Sequence, residues 1–255
     1  MVNNFDLAGK KAIITGAASG LSKGMAEALH EAGAELVIMD IQDAGVDVAK
    51  AFSENGAPAH FVKVNLSDRA DIQTKFDEAL SLLGGRLDIL VNGAGVQKSH
   101  KTEEFTMEEW DWVIGINMNA PFILCQLAGR VMLKQGYGKI INIASASSFF
   151  GGVNVPAYSA SKGGIAQMTK ALCNEWASKG INVNAIAPGY METPLNRHIM
   201  PDTNNARYEH YRVRTPAARW GKPEDMKGLT VFLASDASDF VNGAIIPCDG
   251  GYLAR

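Results

Sequence analysis

Short runs of consecutive apolar residues alternate along the chain with longer stretches whose apolar positions recur every three to four residues. The runs lie at 11–15 (KAIIT), 36–40 (LVIMD), 61–65 (FVKVN), 88–92 (DILVN), 139–145 (KIINIAS), 181–187 (INVNAIA) and 244–248 (AIIPC). Their length and their wealth of Ile and Val predict seven strands. Between them the period is helical: Leu21, Met25, Ala28, Leu29 and Ala32 share one face, and Gly33 follows as a stop signal. Strands that are apolar at successive positions suit a sheet covered on both faces, so the pattern predicts an α/β chain with a doubly wound sheet of about seven parallel strands and helices on both sides. Nothing rich in Pro, Gly or Ser, no charge block and no repeat breaks this rhythm, and residues 1–255 are expected to form one domain. Only the stretch from about 190 to 220 departs from it, with scattered Pro, polar runs and weak periodicity, and it is expected to form a lid over a site.

Composition adjusts this picture at its edges. With 47% hydrophobic and 20% charged residues the 255-residue chain can bury a large core. Its 24 Lys and Arg against 27 Asp and Glu leave a net charge of −3, which gives no general attraction to nucleic acid or to an anionic membrane and favours a small-molecule partner. The basic and aromatic run RYEHYRVR at 207–214 is short and interrupted by Glu209. Cys125, Cys173 and Cys248 are far apart and read as small apolar core residues, and five dispersed His offer no metal-ligand spacing. The first residues lack a signal-peptide pattern and no run of about 18 apolar residues occurs, so a cytoplasmic setting is expected.

Candidate chemistry begins after the first strand. There Gly16-Ala17-Ala18-Ser19-Gly20-Leu21-Ser22 opens an amphipathic helix. A glycine at 16 permits a tight strand-to-helix turn, and a glycine at 20 lets a pyrophosphate approach the backbone N–H groups at the positive helix end. A plain turn is the alternative reading. Asp40 ends the second strand, 20 residues beyond Gly20, where a carboxylate can accept both hydroxyls of an adenosine ribose. It would repel a 2′-phosphate by about 1–4 kcal/mol, and no Lys or Arg stands at 17, 18, 41 or 42 to compensate, so NAD (NADH) is expected over NADP. The competing reading is that Asp40 caps the turn from 40 to 43.

These residues, with several more, resemble the short-chain dehydrogenase/reductase family along essentially the whole chain. Thr15–Ser22 is similar to its TGxxxGxG, Asn92-Gly93-Ala94-Gly95 to its NNAG, Tyr158–Lys162 to its YxxxK, and Pro188-Gly189 with Thr193 to its motif after the sixth strand. Two positions depart: Ser22 replaces the last glycine and Gly93 the second asparagine. The resemblance implies a Rossmann-type fold, a nicotinamide cofactor and a catalytic set of Asn117, Ser145, Tyr158 and Lys162. Tyr158 and Lys162, at i and i+4, share a helix face; a cation at about 5 Å and an effective dielectric of about 20 is worth roughly 3 kcal/mol, which is expected to draw the phenol down by about two pKa units. By the same resemblance Ser145 bonds the reacting oxygen, Asn117 holds a water joining Lys162 to solvent, and Lys162 also bonds the nicotinamide ribose. Gly16, Ser19, Gly20, Leu21, Asp40, Asn65, Leu66, Asn92, Gly93, Ala94, Gly95, Tyr158, Lys162, Pro188, Gly189 and Thr193 are then the expected cofactor contacts.

In KIINIAS (139–145), NEWA (174–177), INVNAIAPGYM (181–191), Ala218-Arg219-Trp220-Gly221 and DGGYLAR (249–255) the chain resembles bacterial dehydrogenases of sugar acids, of the 2-dehydro-3-deoxygluconate, 2-deoxygluconate and gluconate types. A sugar acid calls for a cation at its carboxylate. Arg197, His198, Arg207, Arg212 and Arg214 of the lid are candidates, with Arg197, Arg212 and Arg214 expected in contact; Gln97, Ser147 and Asn154 complete the expected substrate set. The alternative for each charge is a solvated loop. An NAD(H)-dependent reductase of another carbonyl, such as a 3-oxoacyl group, and a dinucleotide-sensing binding protein without chemistry are the alternative functions. Members that resemble this chain are commonly tetramers, which would pair helices around 105–134 and 156–179 and the C-terminal segments.

Overall fold

The computed structural model describes residues 4–200 and 206–255, apart from the side chain of His198; residues 201–205 of the expected lid and the His198 side chain lie outside it. Seven strands, β1 (Lys11–Thr15), β2 (Glu35–Asp40), β3 (Ala59–Lys63), β4 (Ile89–Asn92), β5 (Gly138–Ile143), β6 (Ile181–Pro188) and β7 (Ile245–Cys248), form one sheet in the order 3-2-1-4-5-6-7. Every pairing is parallel. Only β3 is displaced from its predicted run, by two residues. Its pairing already begins at Leu36↔Ala59, while Asn65 is drawn into the start of the next helix, its N–H donating to Asp71 Oδ2 at 2.7 Å.

Successive residues of one strand feed two separate cores, which is why the apolar runs are unbroken. Ile14, Ile38 and Val91 pack with α1 (Gly20–Glu31), α2 (Gly45–Glu54) and α8 (Pro223–Ala234) on one face. Ile13, Val37, Met39 and Leu90 pack with α3 (Arg69–Leu82), α5 (Ala120–Gln135) and α6 (Pro156–Trp176) on the other. A short α4 (Met107–Ile114) runs into α5 through one π-helical turn, Gly115–Asn119. The continuous helix Met107–Gln135 is long and apolar enough to cross a membrane by composition, with a mean hydropathy of 1.2, but 56% of its most apolar window is buried against the rest of the chain. Leu124, Leu127, Leu172 and Trp176 are core, whereas Phe122 stands 49% exposed on the outer side of α5.

The stretch after β6 is more ordered than its polar sequence suggests. A 3-10 turn, Pro194–Ile199, is followed by α7 (Ala206–Arg214), and aromatic rings bind the two ends of the stretch together: Tyr190 stacks on Tyr211 at 3.7 Å, and Tyr208 on Trp220 at 4.8 Å. Cys125 is buried, and Cys173 and Cys248 are half-buried beside the core.

Candidate active site

Order 3-2-1-4 means that the chain leaves β1 in one direction and returns on its other side, and the loops after β1 and β4 part there to open a cleft. Gly16 turns the chain out of β1 with φ +75°; a Cβ there would stand 2.7 Å from the Cα of Ala94. The first turn of α1 follows. Its N-cap Ser19 makes no side-chain cap and no acidic residue lies in that turn, in contrast to α3, where Asp68 accepts from Ala70 and Asp71, and α4, where Thr106 accepts from Glu109. A helix start with uncapped amides, at a backbone approach that only glycine allows, fits the phosphates of a dinucleotide.

The cleft gathers Gly16, Ser19, Gly20, Leu21, Asp40, Asn65, Leu66, Gly93, Ala94, Gly95, Ser145, Tyr158, Lys162, Pro188, Gly189 and Thr193. Ile41, Gln42, Val64 and Asn196 also line it and were not anticipated. Asp40 caps its own turn, as its competing reading has it: Oδ1 accepts from Gln42 N, while Oδ2 accepts from Ala18 N and fixes the glycine loop, each at 3.0 Å, and the residue lines the cleft. Asn92 does not line it. Strand alternation turns its side chain to the α5 face, where Nδ2 donates to Asn142 Oδ1 at 2.8 Å and to Cys125 Sγ at 3.2 Å, while its buried Oδ1 has no partner among the described residues.

The two departures from the family motifs are one feature. Ser22 Oγ donates to the carbonyl of Gly93 at 2.9 Å. A Cβ on residue 93 would meet that same Oγ at 2.4 Å and the Thr15 carbonyl oxygen at 2.8 Å. The serine occupies the room that the missing side chain leaves, and ties α1 to the end of β4.

Ser145, just past β5, caps the turn Ala146–Ser148, its Oγ accepting from Ser147 N at 3.1 Å. Ser148 Oγ accepts from Ser145 N at 3.3 Å and donates to the Lys162 carbonyl at 2.7 Å, which ties this turn to α6. On α6, Tyr158 and Lys162 stand one turn apart, with Lys162 Nζ 5.7 Å from the Tyr158 ring centroid and donating to the Ile143 carbonyl at 2.6 Å. Burial pushes the Tyr158 phenol above its usual range, opposed by a hydrogen bond with the Ser145 hydroxyl. This reverses the sequence expectation of a depressed phenol, because burial of the phenol outweighs the hydrogen bond that lowers it; Lys162, which donates to the Ile143 carbonyl, is itself pulled down to about 8 by burial. Asn117, in the π turn, clamps Val96: Oδ1 accepts from its N–H and Nδ2 donates to its carbonyl, both at 2.8 Å, with Ser161 Oγ a further acceptor at 3.3 Å. It stands behind Gly95 rather than in the cleft, and the relay assigned to it rests on resemblance.

A second pocket opens beside the cleft and shares Ser145, Tyr158, Gly189, Leu195 and Asn196 with it. Of the expected substrate residues it contains Gln97, Ser147 and Arg214, together with Arg207, His210 and the rings of Phe150, Tyr190, Tyr211 and Tyr252. Asn154, Arg197 and Arg212 do not line it. Arg212 is turned to Glu209, with bonds of 2.7 and 2.6 Å, and to the Ala218 carbonyl at 3.0 Å. Asn154 holds the loop instead, with φ 64° and its carbonyl accepting from His100 N at 3.0 Å. Arg197 is exposed on the turn after β6. The spacing 207, 210–211, 214 is one face of a helix, a signal present in the sequence but hidden by the polar composition of the stretch.

A family model described as enoyl-(acyl carrier protein) reductase matches residues 16–253. The chain is 46% identical over 252 residues to 2-dehydro-3-deoxy-D-gluconate 5-dehydrogenase of Bacillus subtilis (strain 168), with 98% of this chain and 97% of that one covered. It is 38% identical over 250 residues to 5-keto-D-gluconate 5-reductase of Escherichia coli (strain K12), with coverages of 98% and 97%. The crystal structure of a gluconate 5-dehydrogenase from Burkholderia cenocepacia J2315 in complex with NADP and tartrate is similar with a TM-score of 0.93 at 36% identity, covering 99% of this chain and 98% of that one.

The Ser22–Gly93 contact gives a first prediction. Gly93→Ala drives a methyl against Ser22 Oγ and a backbone oxygen and is expected to cost about 1–3 kcal/mol in urea unfolding, with weaker dinucleotide binding by fluorescence titration. A variant as stable and as tightly binding as the parent contradicts the contact.

Proposed function

The chain belongs to the short-chain dehydrogenase/reductase family, and on that premise we propose that it interconverts a secondary alcohol and a ketone on a sugar acid of the 2-dehydro-3-deoxygluconate or gluconate type, with NAD as its cofactor. The observation that carries this reading is that Ser145 and Tyr158 line both the dinucleotide cleft and the side pocket in which Arg214 stands. A nicotinamide dinucleotide in the cleft supplies the hydride acceptor or donor. The residues of the chain do the rest. Ser145, held by Ser147 N, hydrogen-bonds the reacting oxygen; Tyr158 takes the alcohol proton in oxidation and returns it in reduction. Since burial raises the phenol, the phenolate needs a positive neighbour, and the Lys162 ammonium is the nearby cation of the chain. Asn117 holds the π turn against Val96 and is the residue we assign to the water relay behind Lys162.

Arg214 supports an acidic substrate. It lines the side pocket and makes no ion pair among the described residues, whereas Arg212 is neutralised by Glu209. The same cationic and phenolic lining disfavours a long acyl chain. Asp40 supports NAD: a carboxylate lining the cleft would repel a 2′-phosphate bound beside it, and positions 17, 18, 41 and 42 offer no cation to compensate. The reading includes a homotetramer, built in part on the outer side of α5 around Phe122, in the cytoplasm.

The test follows nicotinamide absorbance with gluconate, 2-dehydro-3-deoxygluconate and 5-ketogluconate, with NAD and NADP in both directions. NAD is expected to be favoured by about tenfold or more, a preference that shrinks in Asp40→Ser. Equal use of both cofactors by the parent sinks the Asp40 argument; inert acids beside a reduced neutral ketone sink the substrate. Tyr158→Phe is expected to lose turnover by at least about a hundredfold and to bind dinucleotide nearly as the parent does, and retained activity removes Tyr158 from its role. Lys162 is charged below about pH 8 and loses its proton as the pH rises through that value. For ketone reduction, kcat/KM should therefore fall above about pH 8; a rate that is flat to pH 10 refutes that role.

A further inference from the structure

Arg214 is an exposed side chain on the last turn of a short helix, and a mobile guanidinium binds a carboxylate poorly because its ordering must be met at each encounter. Its charge has no carboxylate to rest on among the described residues. What it does have is a ring: the guanidinium carbon lies 5.0 Å from the centroid of Tyr252. That ring is itself fixed. Tyr252 is 5% exposed and packs against Phe150 at 5.9 Å and Tyr190 at 5.2 Å.

The turn that carries Tyr252 is built to sit under α7. Asp249 closes it, Oδ1 accepting from Gly251 N and Oδ2 from Leu253 N, both at 2.8 Å. Gly250 accepts from Ala217 N at 3.0 Å, and a Cβ on Gly250 would meet the Thr215 methyl at 2.8 Å. Arg255 donates to the Val213 carbonyl at 3.2 Å. The residues on either side of Arg214 are thus docked on the segment 249–255, and the ring of that segment meets the guanidinium.

We infer that Tyr252 is a positioning residue for substrate recognition: its ring holds the Arg214 guanidinium at the pocket, and so sets the preference for carboxylate-bearing over neutral substrates. The inference rests on the reading above, in which Arg214 receives the carboxylate. Tyr252 does not transfer a proton or hydride; it acts through Arg214.

The test compares a sugar acid that the parent turns over with the methyl ester of the same acid, in the full chain saturated with dinucleotide. Arg214→Gln is expected to raise KM for the acid by about tenfold or more and to leave that for the ester nearly unchanged. Tyr252→Met, which keeps most of the volume without the π face, should raise KM for the acid alone by about three- to tenfold with kcat retained. Tyr252→Phe should restore the parent value, and Arg214→Gln/Tyr252→Met should be no worse than Arg214→Gln. Tyr252→Leu gives the same comparison should the Met variant fold poorly. If Arg214→Gln affects KM for the acid while Tyr252 variants are silent, raise both KM values alike, or add to Arg214→Gln, the positioning role is overturned alone. If Arg214→Gln leaves KM for the acid unchanged, the carboxylate reading falls and the inference falls with it.

Discussion

All seven strands run the same way, and that constraint organises the rest of the molecule. A parallel strand must be reached by a crossover that returns to the same end of the sheet, so every loop that follows a strand is delivered to one edge. The order 3-2-1-4 adds a switch point, where the loops after β1 and β4 diverge instead of covering each other. The cleft is a consequence of topology before it is a consequence of any one residue. The residues then tune it: the Gly16 turn passes so close to Ala94 that a single methyl would collide, and the Asp40 carboxylate pins the loop by its bond from Ala18 N.

Burial sets the acid–base character of the site. A phenol and an ammonium packed beneath a cleft are both pushed toward their neutral forms, the phenol upward and Lys162 down to about 8. The phenol is not ready for charge by itself, whereas Lys162 keeps its charge below about pH 8. Each is restrained by backbone and hydroxyl partners, Ser145 for Tyr158 and the Ile143 carbonyl for Lys162. A site of this kind is responsive to a charge entering beside it, since desolvated groups feel a neighbour more strongly than exposed ones do.

The side pocket shows how charge counts mislead without geometry. Arg207, Arg212 and Arg214 all lie on α7, yet Arg212 is turned to Glu209 and Arg214 to a ring. The difference comes from Glu209, three residues before Arg212 on the same helix, and from Tyr252, which arrives from nearly forty residues further along the chain. Tyr190, Tyr211 and Trp220 make the stretch a packed wall, and burial together with the phenols beside it pushes the Tyr190 hydroxyl well up, keeping it neutral.

The sequence by itself determined the seven strands, their parallel sense, the glycine loop and the pairing of Tyr158 with Lys162, because each is a local pattern: unbroken apolar runs, a turn residue before a helix, a spacing of four. It also showed Ser22 and Gly93 as two separate oddities. Only the tertiary structure made them one contact, since 71 residues separate them and the β1–β4 neighbourhood brings them together. Tertiary structure likewise turned Asn92 away from the cleft by strand alternation, took Arg212 out of the pocket through an ion pair, and built α7 where polar composition had hidden a helical face. It decided the direction of the Tyr158 shift as well. Periodicity is written in neighbours along the chain, whereas desolvation, ion pairing and the fit of one side chain into the space left by another depend on residues that meet only after folding.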